Sequence, residues 1–173
     1  MWLFLLSLGI LFAAATGGYL LLRVRAEAWP PPGMPALPAG LWLSTALVLL
    51  ISAAIQWALL SVRRDRSGTL IGALLITTLL ALLFLVSQAV NWAWLIAMHA
   101  TAGASLYLFT FYLLTGLHGA HVLGGLGLQA VVTARAFAGR YSAAHHAGVK
   151  YAAMYWHFLD VVWLVLFTLL FLV

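Results

Sequence analysis

YWHFLDVVW occupies residues 155–163, inside an apolar run that extends from Tyr151 to Val173. As an α-helix rising about 1.5 Å per residue, this run is long enough to cross the hydrocarbon layer of a membrane, which is about 30 Å thick. Asp160 then lies near the middle of the bilayer, where a carboxyl group costs about 2.5 to 3.5 kcal/mol even on the lenient insertion scale. We therefore expect Asp160 to face protein and to have a hydrogen-bonding partner.

The composition indicates an integral membrane protein that forms one transmembrane domain over residues 1–173. Hydrophobic residues make up 66% of the chain and charged residues 6%, whereas a water-soluble domain carries about 25% charged residues. The chain has no cysteine, which excludes disulfides, cysteine-ligated zinc, iron–sulfur clusters and covalently attached haem. The net charge of +5 comes from basic residues in loops, so lipid headgroups, and not nucleic acids, are the expected anions.

Five apolar runs predict an all-α fold, a bundle of five transmembrane helices. The expected helices cover residues 2–22, 41–62, 69–86, 100–133 and 151–173. The fourth run is longer than the roughly 20 residues that hydrocarbon requires, so we expect this helix to tilt or to project into water. Polar and aromatic residues directly after the third run are typical of an interfacial belt at a membrane surface; they are Gln88, Asn91, Trp92 and Trp94.

The distribution of basic residues predicts the orientation of the bundle. If the helices alternate in direction, two of the eight basic residues, Arg23 and Arg25, lie on one side of the membrane. The other six lie on the side of the N-terminus: Arg63, Arg64, Arg66, Arg135, Arg140 and Lys150. The positive-inside rule then places the N-terminus inside and the C-terminus outside.

Four rare intramembrane residues are the candidates for a polar core. His118 and His121 are three residues apart on the fourth helix, and His157 and Asp160 have the same spacing on the fifth, so each pair shares a helix face. Because both pairs lie near mid-span, we expect a contact between a histidine of the fourth helix and Asp160. Structural hydrogen bonds, each worth about 0.6 to 2 kcal/mol, are the first interpretation. A proton relay is the second, and a haem held by His118 with His157 or His99 is the third.

Basic residues near the inner end of the fourth helix suggest contact with lipid headgroups. Arg135 and Arg140 lie there, and a guanidinium group is well suited to phosphate oxygens. The neighbouring His145 and His146 also raise the possibility of a metal site, but no third or fourth ligand lies nearby in the sequence, so we expect no metal.

Together, three segments closely resemble subunit III of the haem–copper oxidases, in a short five-helix form. They are FYLLTGLHGAHV at residues 111–122, the pair His145-His146, and YWHFLDVVW at residues 155–163. Weaker similarity at residues 37–45 and 84–88 follows the same order, so the resemblance to the cytochrome c oxidase subunit III family covers essentially the whole chain.

The resemblance implies an accessory subunit with no catalytic residue, haem or copper of its own. Haem and copper would belong to the catalytic subunit I, beside which this chain would pack together with the other oxidase subunits. Family members bind phospholipids, support proton uptake by the catalytic subunit and protect it during turnover. Arg135 and Arg140 match positions near lipid headgroups. The expected location is the bacterial inner membrane.

Alternative functions remain open on the sequence alone. Related short subunits accompany nitric oxide reductases and quinol oxidases, while a self-contained b-type cytochrome or a small transporter would be a protein of another class.

The chain also departs from the family pattern, since it resembles only the last five of the usual seven helices. The first apolar run lacks the buried glutamate of the family, and Lys150 replaces an acidic residue. We therefore expect no direct proton transfer through those two carboxyl positions.

Overall fold

In a computed structural model, which describes residues 1–172, the described part of the chain contains helices and no strands. Five of the helices are long and apolar enough to cross a membrane. They are α1 (Trp2–Arg25), α2 (Gly40–Val62), α3 (Ser67–Ala97), α4 (Leu106–Phe137) and α5 (Ala147–Phe167). A π-helical segment, Thr168–Leu172, continues α5. The predicted all-α membrane bundle is thus confirmed.

The apolar composition explains why the chain forms helices with lipid-facing surfaces. Backbone N–H and C=O groups find no water in hydrocarbon, so each spanning segment has to satisfy them internally, as a helix does. Large apolar side chains remain exposed along the outside of the bundle, among them Leu3, Leu79 and Leu123. In a membrane these side chains contact acyl chains and need no protein cover.

Helices α2, α3, α4 and α5 form a closed ring in which each helix packs against its two neighbours, and α2 and α3 share the largest interface. Helix α1 lies outside this ring and contacts α4 and α5. Its buried residues, Leu5, Leu8, Phe12 and Tyr19, follow one helical stripe, as expected for a helix that packs through one face only. Helix α1 is therefore the peripheral element of the bundle.

Contacts near the ends of the helices show that the helices alternate in direction. At one end, the backbone N–H of Ala143, between α4 and α5, donates to Oδ1 of Asp65, between α2 and α3, at 2.5 Å. At the other end, the hydroxyl of Tyr19 near the end of α1 donates to the carbonyl of Leu169, after α5, at 3.0 Å. The connections thus lie at opposite ends in turn, as in an up-and-down bundle.

Helix α3 extends to Ala97, well beyond the predicted end at residue 86. Gln88 and Asn91, which the sequence assigned to an interfacial belt, are buried where α3 packs on α2. Their amide nitrogens approach the hydroxyl oxygen of Ser44 at 2.8 and 3.5 Å. Helix α2 thus contacts both amide nitrogens, while the depth of these residues in the membrane stays a prediction.

Several other helix ends also differ from the predicted ones. Helix α4 begins at Leu106 and not at residue 100, because the side chain of Ser105 accepts a hydrogen bond from the backbone N–H of Leu108 at 3.2 Å and so caps the helix. Helix α5 begins at Ala147, earlier than predicted. Helices α3 and α4 contain 31 and 32 residues, or about 46 to 48 Å each. Both, and not only α4, are longer than the hydrocarbon layer is thick.

Candidate functional site

His118 lies at the centre of the bundle and is surrounded by aromatic rings. Its imidazole is 5.1 Å from the ring of Trp163, 5.5 Å from that of Phe84 and 6.4 Å from that of Phe12, measured between ring centroids. The residue is 1% exposed, and its Nδ1 has no hydrogen-bond partner among the described residues. We call Phe12, Phe84 and Trp163 the aromatic cage of His118.

The aromatic cage connects all five helices. Phe12 belongs to α1, Phe84 to α3, His118 to α4 and Trp163 to α5. The indole N–H of Trp163 also donates to the hydroxyl of Thr45 on α2 at 3.0 Å. Aromatic pairs at such separations contribute about 0.5 to 1.5 kcal/mol each beyond their burial. The His118 region therefore has the geometry of a packing centre.

This environment argues against His118 as a haem ligand. An axial ligand needs one ring nitrogen directed at iron and a slot between helices wide enough for the macrocycle. The His118 ring is enclosed by side chains from three other helices, and the residue is almost completely buried. Loading a haem at this position would require the cage to open.

His121, one turn along α4, is bound mainly through its own helix. Its Nδ1 lies 2.7 Å from the carbonyl oxygen of Leu117, and its ring is 5.0 Å from that of Phe12. The backbone carbonyl of His121 accepts a hydrogen bond from the hydroxyl of Tyr155 on α5 at 2.8 Å. His121 thus joins α1, α4 and α5, but its imidazole forms no hydrogen bond across helices within the described residues.

His157 and Asp160 lie on the opposite side of α5, where that helix faces α2. The imidazole Nδ1 of His157 is 2.8 Å from the hydroxyl of Ser52, and its Nε2 is 3.3 Å from Oε1 of Gln56. Oδ2 of Asp160 is 3.9 Å from Nδ1 of His157. We call Ser52, Gln56, His157 and Asp160 the polar edge.

The polar edge is partly open to the surface of the bundle. The side chain of His157 is 38% exposed and that of Asp160 is 8% exposed, while Gln56 is exposed. A carbonyl oxygen only accepts hydrogen bonds, so a neutral His157 carries its proton on Nε2 toward Gln56 and accepts from Ser52 at Nδ1. Both ring nitrogens are therefore satisfied, in contrast to Nδ1 of His118.

The four residues predicted as one polar core thus form two separate groups. Within residues 1–172, no hydrogen bond or ion pair connects His118 or His121 with Asp160, so the contact expected between the fourth and fifth helices does not occur. The reason is rotational: the histidines of α4 face α1 and the bundle interior, while His157 and Asp160 face α2. Equal depth in the membrane was necessary for contact, but it was not sufficient.

Sequence reasoning missed several polar residues that the structure places at helix interfaces, and three of them are isolated in apolar runs. Ser52 and Gln56 belong to the polar edge. Gln129, which is fully buried, donates to the backbone carbonyl of Leu74 on α3 at 3.1 Å and accepts from the indole N–H of Trp156 on α5 at 3.1 Å. Each is an isolated polar residue in an apolar run, and that signal was available in the sequence.

Arg135 and Arg140 are both exposed at the end of α4. Arg135 lies in the last turn of the helix and Arg140 in the connection to α5. Among the described contacts, no side-chain acceptor on the protein binds either guanidinium group. The two side chains are therefore available to anions at the membrane surface on the side of Asp65 and Ala143.

His145 and His146 form no metal centre with other residues of the described part. No group of three or more histidine, aspartate or glutamate side chains comes close enough there to hold a metal ion.

Sequence comparison identifies the family to which this arrangement belongs. The family profile described as Cytochrome c oxidase subunit III matches residues 1–173. The chain belongs to the cytochrome c oxidase subunit III family. The resemblance carried by residues 111–122 and 155–163 is thereby confirmed.

Individual relatives of this subunit III family differ in how much of their length the chain covers. It is 37% identical over 141 residues to cytochrome c oxidase subunit 3 of Marchantia polymorpha, covering 80% of this chain and 52% of the relative. The cyanobacterial subunits 3 of Thermostichus vulcanus and Synechocystis sp. are 31% and 35% identical over 98% of this chain, and the matches cover 83% and 72% of those proteins. The chain thus spans about half the length of the plant relative and most of the cyanobacterial ones.

Proposed function

We propose that the chain is the accessory, cofactor-free subunit III of a terminal haem–copper oxidase, a cytochrome c oxidase of aerobic electron transport. The observation that carries this proposal is the subunit III family match over residues 1–173. In this role the chain packs beside catalytic subunit I and the other oxidase subunits. It stabilises subunit I and supports its proton uptake, while the chemistry takes place on haem and copper in that partner.

The environment of the intramembrane residues supports a role in packing. The His118 cage involves all five helices, and His121 and Gln129 connect α4 to its neighbours. Helix α1 contains no carboxyl group. We infer that support for proton uptake comes from how the subunit holds its partner, and not from a chain of acids within it.

A pull-down from native membranes in mild detergent tests this function. A tagged chain is purified, its reduced-minus-oxidised spectrum is recorded, and the co-purifying subunits are identified by mass spectrometry. We expect haem only in fractions that also contain a large multi-helix subunit, whose identity names the enzyme. A haem spectrum from this chain alone would instead favour the self-contained cytochrome.

We also propose that the chain binds phospholipid and that Arg135 and Arg140 contact the lipid headgroups. Both guanidinium groups are exposed at the end of a spanning helix, where charge-assisted bonds to phosphate oxygens form readily. The test compares Arg135→Gln/Arg140→Gln with the matched control Arg63→Gln/Arg64→Gln, which removes two exposed charges on the same side of the bundle. The first variant should lower the phospholipid retained in the purified complex; an equal loss in both would indicate a nonspecific charge effect.

The proposed location is the bacterial inner membrane, with the N-terminus inside. The six basic residues at the end of the bundle that holds Asp65 and Ala143 support this orientation. Because the native chain has no cysteine, single cysteines can report the side directly. We expect a membrane-impermeant maleimide added from outside to label Ala36→Cys and not Ala144→Cys; both positions are exposed, and the reverse pattern would invert the topology.

A further inference from the structure

The polar edge exposes hydrogen-bonding groups on the outside of the bundle. At this depth in the membrane, the surrounding acyl chains have no hydrogen-bonding groups. Gln56 lies six residues before the end of α2 at Val62, about 9 Å along the helix, and His157 lies ten residues after the start of α5 at Ala147, about 15 Å along it. These depths fall within the hydrocarbon layer, below the headgroups.

The amide of Gln56 is only half satisfied within the chain. Its Oε1 approaches His157, but no described residue accepts a hydrogen bond from its NH₂ group. An unsatisfied polar group in hydrocarbon costs several kcal/mol, and acyl chains carry no acceptor. The short side chain of glutamine does not reach the headgroups from this depth. We therefore expect the exposed NH₂ group of Gln56 to donate a hydrogen bond to an acceptor on another polypeptide.

A long groove runs beside the polar edge, between α1 and α5. It has two parts with volumes of about 600 and 390 Å³, and Gly9 and Val161 line both. The residues of α1 that line it extend from Trp2 to Leu20, about 27 Å at 1.5 Å per residue. That length nearly equals the hydrocarbon thickness, so the groove suits a segment that crosses the whole membrane.

His157 connects the groove with the exposed amide. Its ring lines the wider part of the groove and also approaches Gln56 on the far side of α5. The remaining wall is almost wholly apolar, with Leu5, Phe158 and Val161 among its members. An apolar channel of membrane length with hydrogen-bonding groups at one margin matches an apolar helix that carries a single polar residue.

We propose that the α1–α5 groove and the polar edge dock a transmembrane helix of another subunit, and that this helix supplies a side-chain hydrogen-bond acceptor to Gln56. The inference rests on the proposed function, because it assigns one face of this chain to a partner within the oxidase complex. Hydroxyl, amide and carboxyl side chains on the partner all provide the required oxygen.

Photo-crosslinking in native membranes tests what occupies the groove. A photoreactive amino acid replaces Val161, which is 61% exposed and lines both parts of the groove. Irradiation precedes any detergent, and adducts are identified by mass spectrometry. We expect an adduct with a transmembrane segment of another subunit. Adducts with phospholipid alone would overturn the proposal.

The Gln56→Leu variant tests the hydrogen bond through the sign of its effect. If a partner acceptor binds the amide, the amount of partner co-purifying should fall about three- to twentyfold, the range that corresponds to one interhelical hydrogen bond in a membrane. If the amide faced lipid, leucine would suit that environment better and the yield would stay equal or rise, which would contradict the proposal.

Ser7→Ala is the matched control. Ser7 is exposed on α1 near the same end of the bundle, but its hydroxyl donates to the carbonyl of Phe4 in its own helix at 2.7 Å. Its removal should leave the yield unchanged. Two results together would disprove this inference and leave the proposed function standing: large oxidase subunits co-purify with the wild-type chain, and the photoreactive residue at position 161 labels only lipid. If the Val161 adduct contains a helix of a protein that is not an oxidase subunit, the docking face stands and the proposed function fails.

Discussion

His118 and His157 show two ways in which one bundle accommodates an imidazole inside a membrane. His118 is 1% exposed, lies among three aromatic rings and has no partner for Nδ1 among the described residues. The side chain of His157 is 38% exposed and has a polar partner at each ring nitrogen. The first histidine contributes shape and burial, whereas the second contributes hydrogen bonds. Under the docking proposed above, the interior of the bundle serves stability and the polar edge serves association.

The largest effect is expected from removing the imidazole at the packing centre. His118→Ala leaves a cavity between Phe12, Phe84 and Trp163 and should lower the free energy of unfolding by about 2 to 4 kcal/mol, as other large-to-small core changes do. Unfolding of the purified chain in mixed detergent micelles measures it. His118→Phe is the matched control: it keeps an aromatic ring at this position, and no hydrogen bond of the His118 side chain is found among the described residues that it would break. A phenylalanine variant as unstable as the alanine variant would show that a ring nitrogen, and not the ring's shape, is what matters.

Gln129 sharpens the comparison, because it is as deeply buried as His118 but forms hydrogen bonds through both its amide nitrogen and its amide oxygen. Gln129→Leu removes the acceptor of the Trp156 indole and the donor to the Leu74 carbonyl, and should cost about 1 to 3 kcal/mol. A double-mutant cycle with Trp156→Phe isolates the indole bond. In the leucine background Trp156→Phe should cost less than in the wild type, since the indole N–H has already lost its partner. Equal costs in both backgrounds would mean that the bond is not formed.

The sequence predicted the helices better than it predicted their rotation. Five apolar runs give five spanning helices because hydrocarbon accepts almost no other backbone arrangement. Which face of a helix points inward depends on packing with distant segments, so His118 and Asp160 could be placed at equal depth but not on facing surfaces. Helix ends were uncertain for a related reason. Gln88 and Asn91 look interfacial by residue type, yet inside the bundle their amide nitrogens approach the hydroxyl of Ser44, more than 40 residues away in sequence.

The sequence predicted those site residues whose type is unusual in an apolar run. It did not predict the residues whose role depends on a contact with a distant segment. His157 and Asp160 stand out as ionisable residues in an apolar run. Ser52 and Gln56 are ordinary polar residues in a membrane helix until α5 brings His157 to within 2.8 and 3.3 Å of them. The proposed role of Gln56 in particular depends on its exposure beside the groove, which the sequence does not show.

A variant of Asp160 tests whether the polar edge serves association with other subunits. Asp160→Ala removes the carboxyl group beside His157, and it also removes the cost of holding a carboxyl group in hydrocarbon, so the fold of the chain should change little. We expect the yield of assembled complex to fall at least threefold, as for one interhelical contact, while turnover per assembled complex is retained. Asp160→Asn keeps hydrogen-bonding oxygen and nitrogen atoms and should retain most of the yield. Normal assembly with abolished turnover would instead place Asp160 in the chemistry of the enzyme.

The smallest effect is expected at Ser52, and it distinguishes a hydrogen-bonded histidine from a merely packed one. Ser52→Ala removes the hydroxyl 2.8 Å from Nδ1 of His157 and should cost about 0.6 to 1 kcal/mol, because such bonds average little in membrane bundles. Stability alone would resolve that change poorly, so the more direct measurement is the nitrogen NMR spectrum of labelled histidine. With the Ser52 hydroxyl present, Nδ1 of a neutral His157 accepts a hydrogen bond and Nε2 carries the proton. Without the hydroxyl, only the contact with Gln56 defines the tautomer of His157. The nitrogen signals of His157 should therefore shift, while those of His118 stay fixed. A shift of both histidines would mean that the two environments are coupled through α5, and the separation between a packing centre and an association edge would then no longer hold.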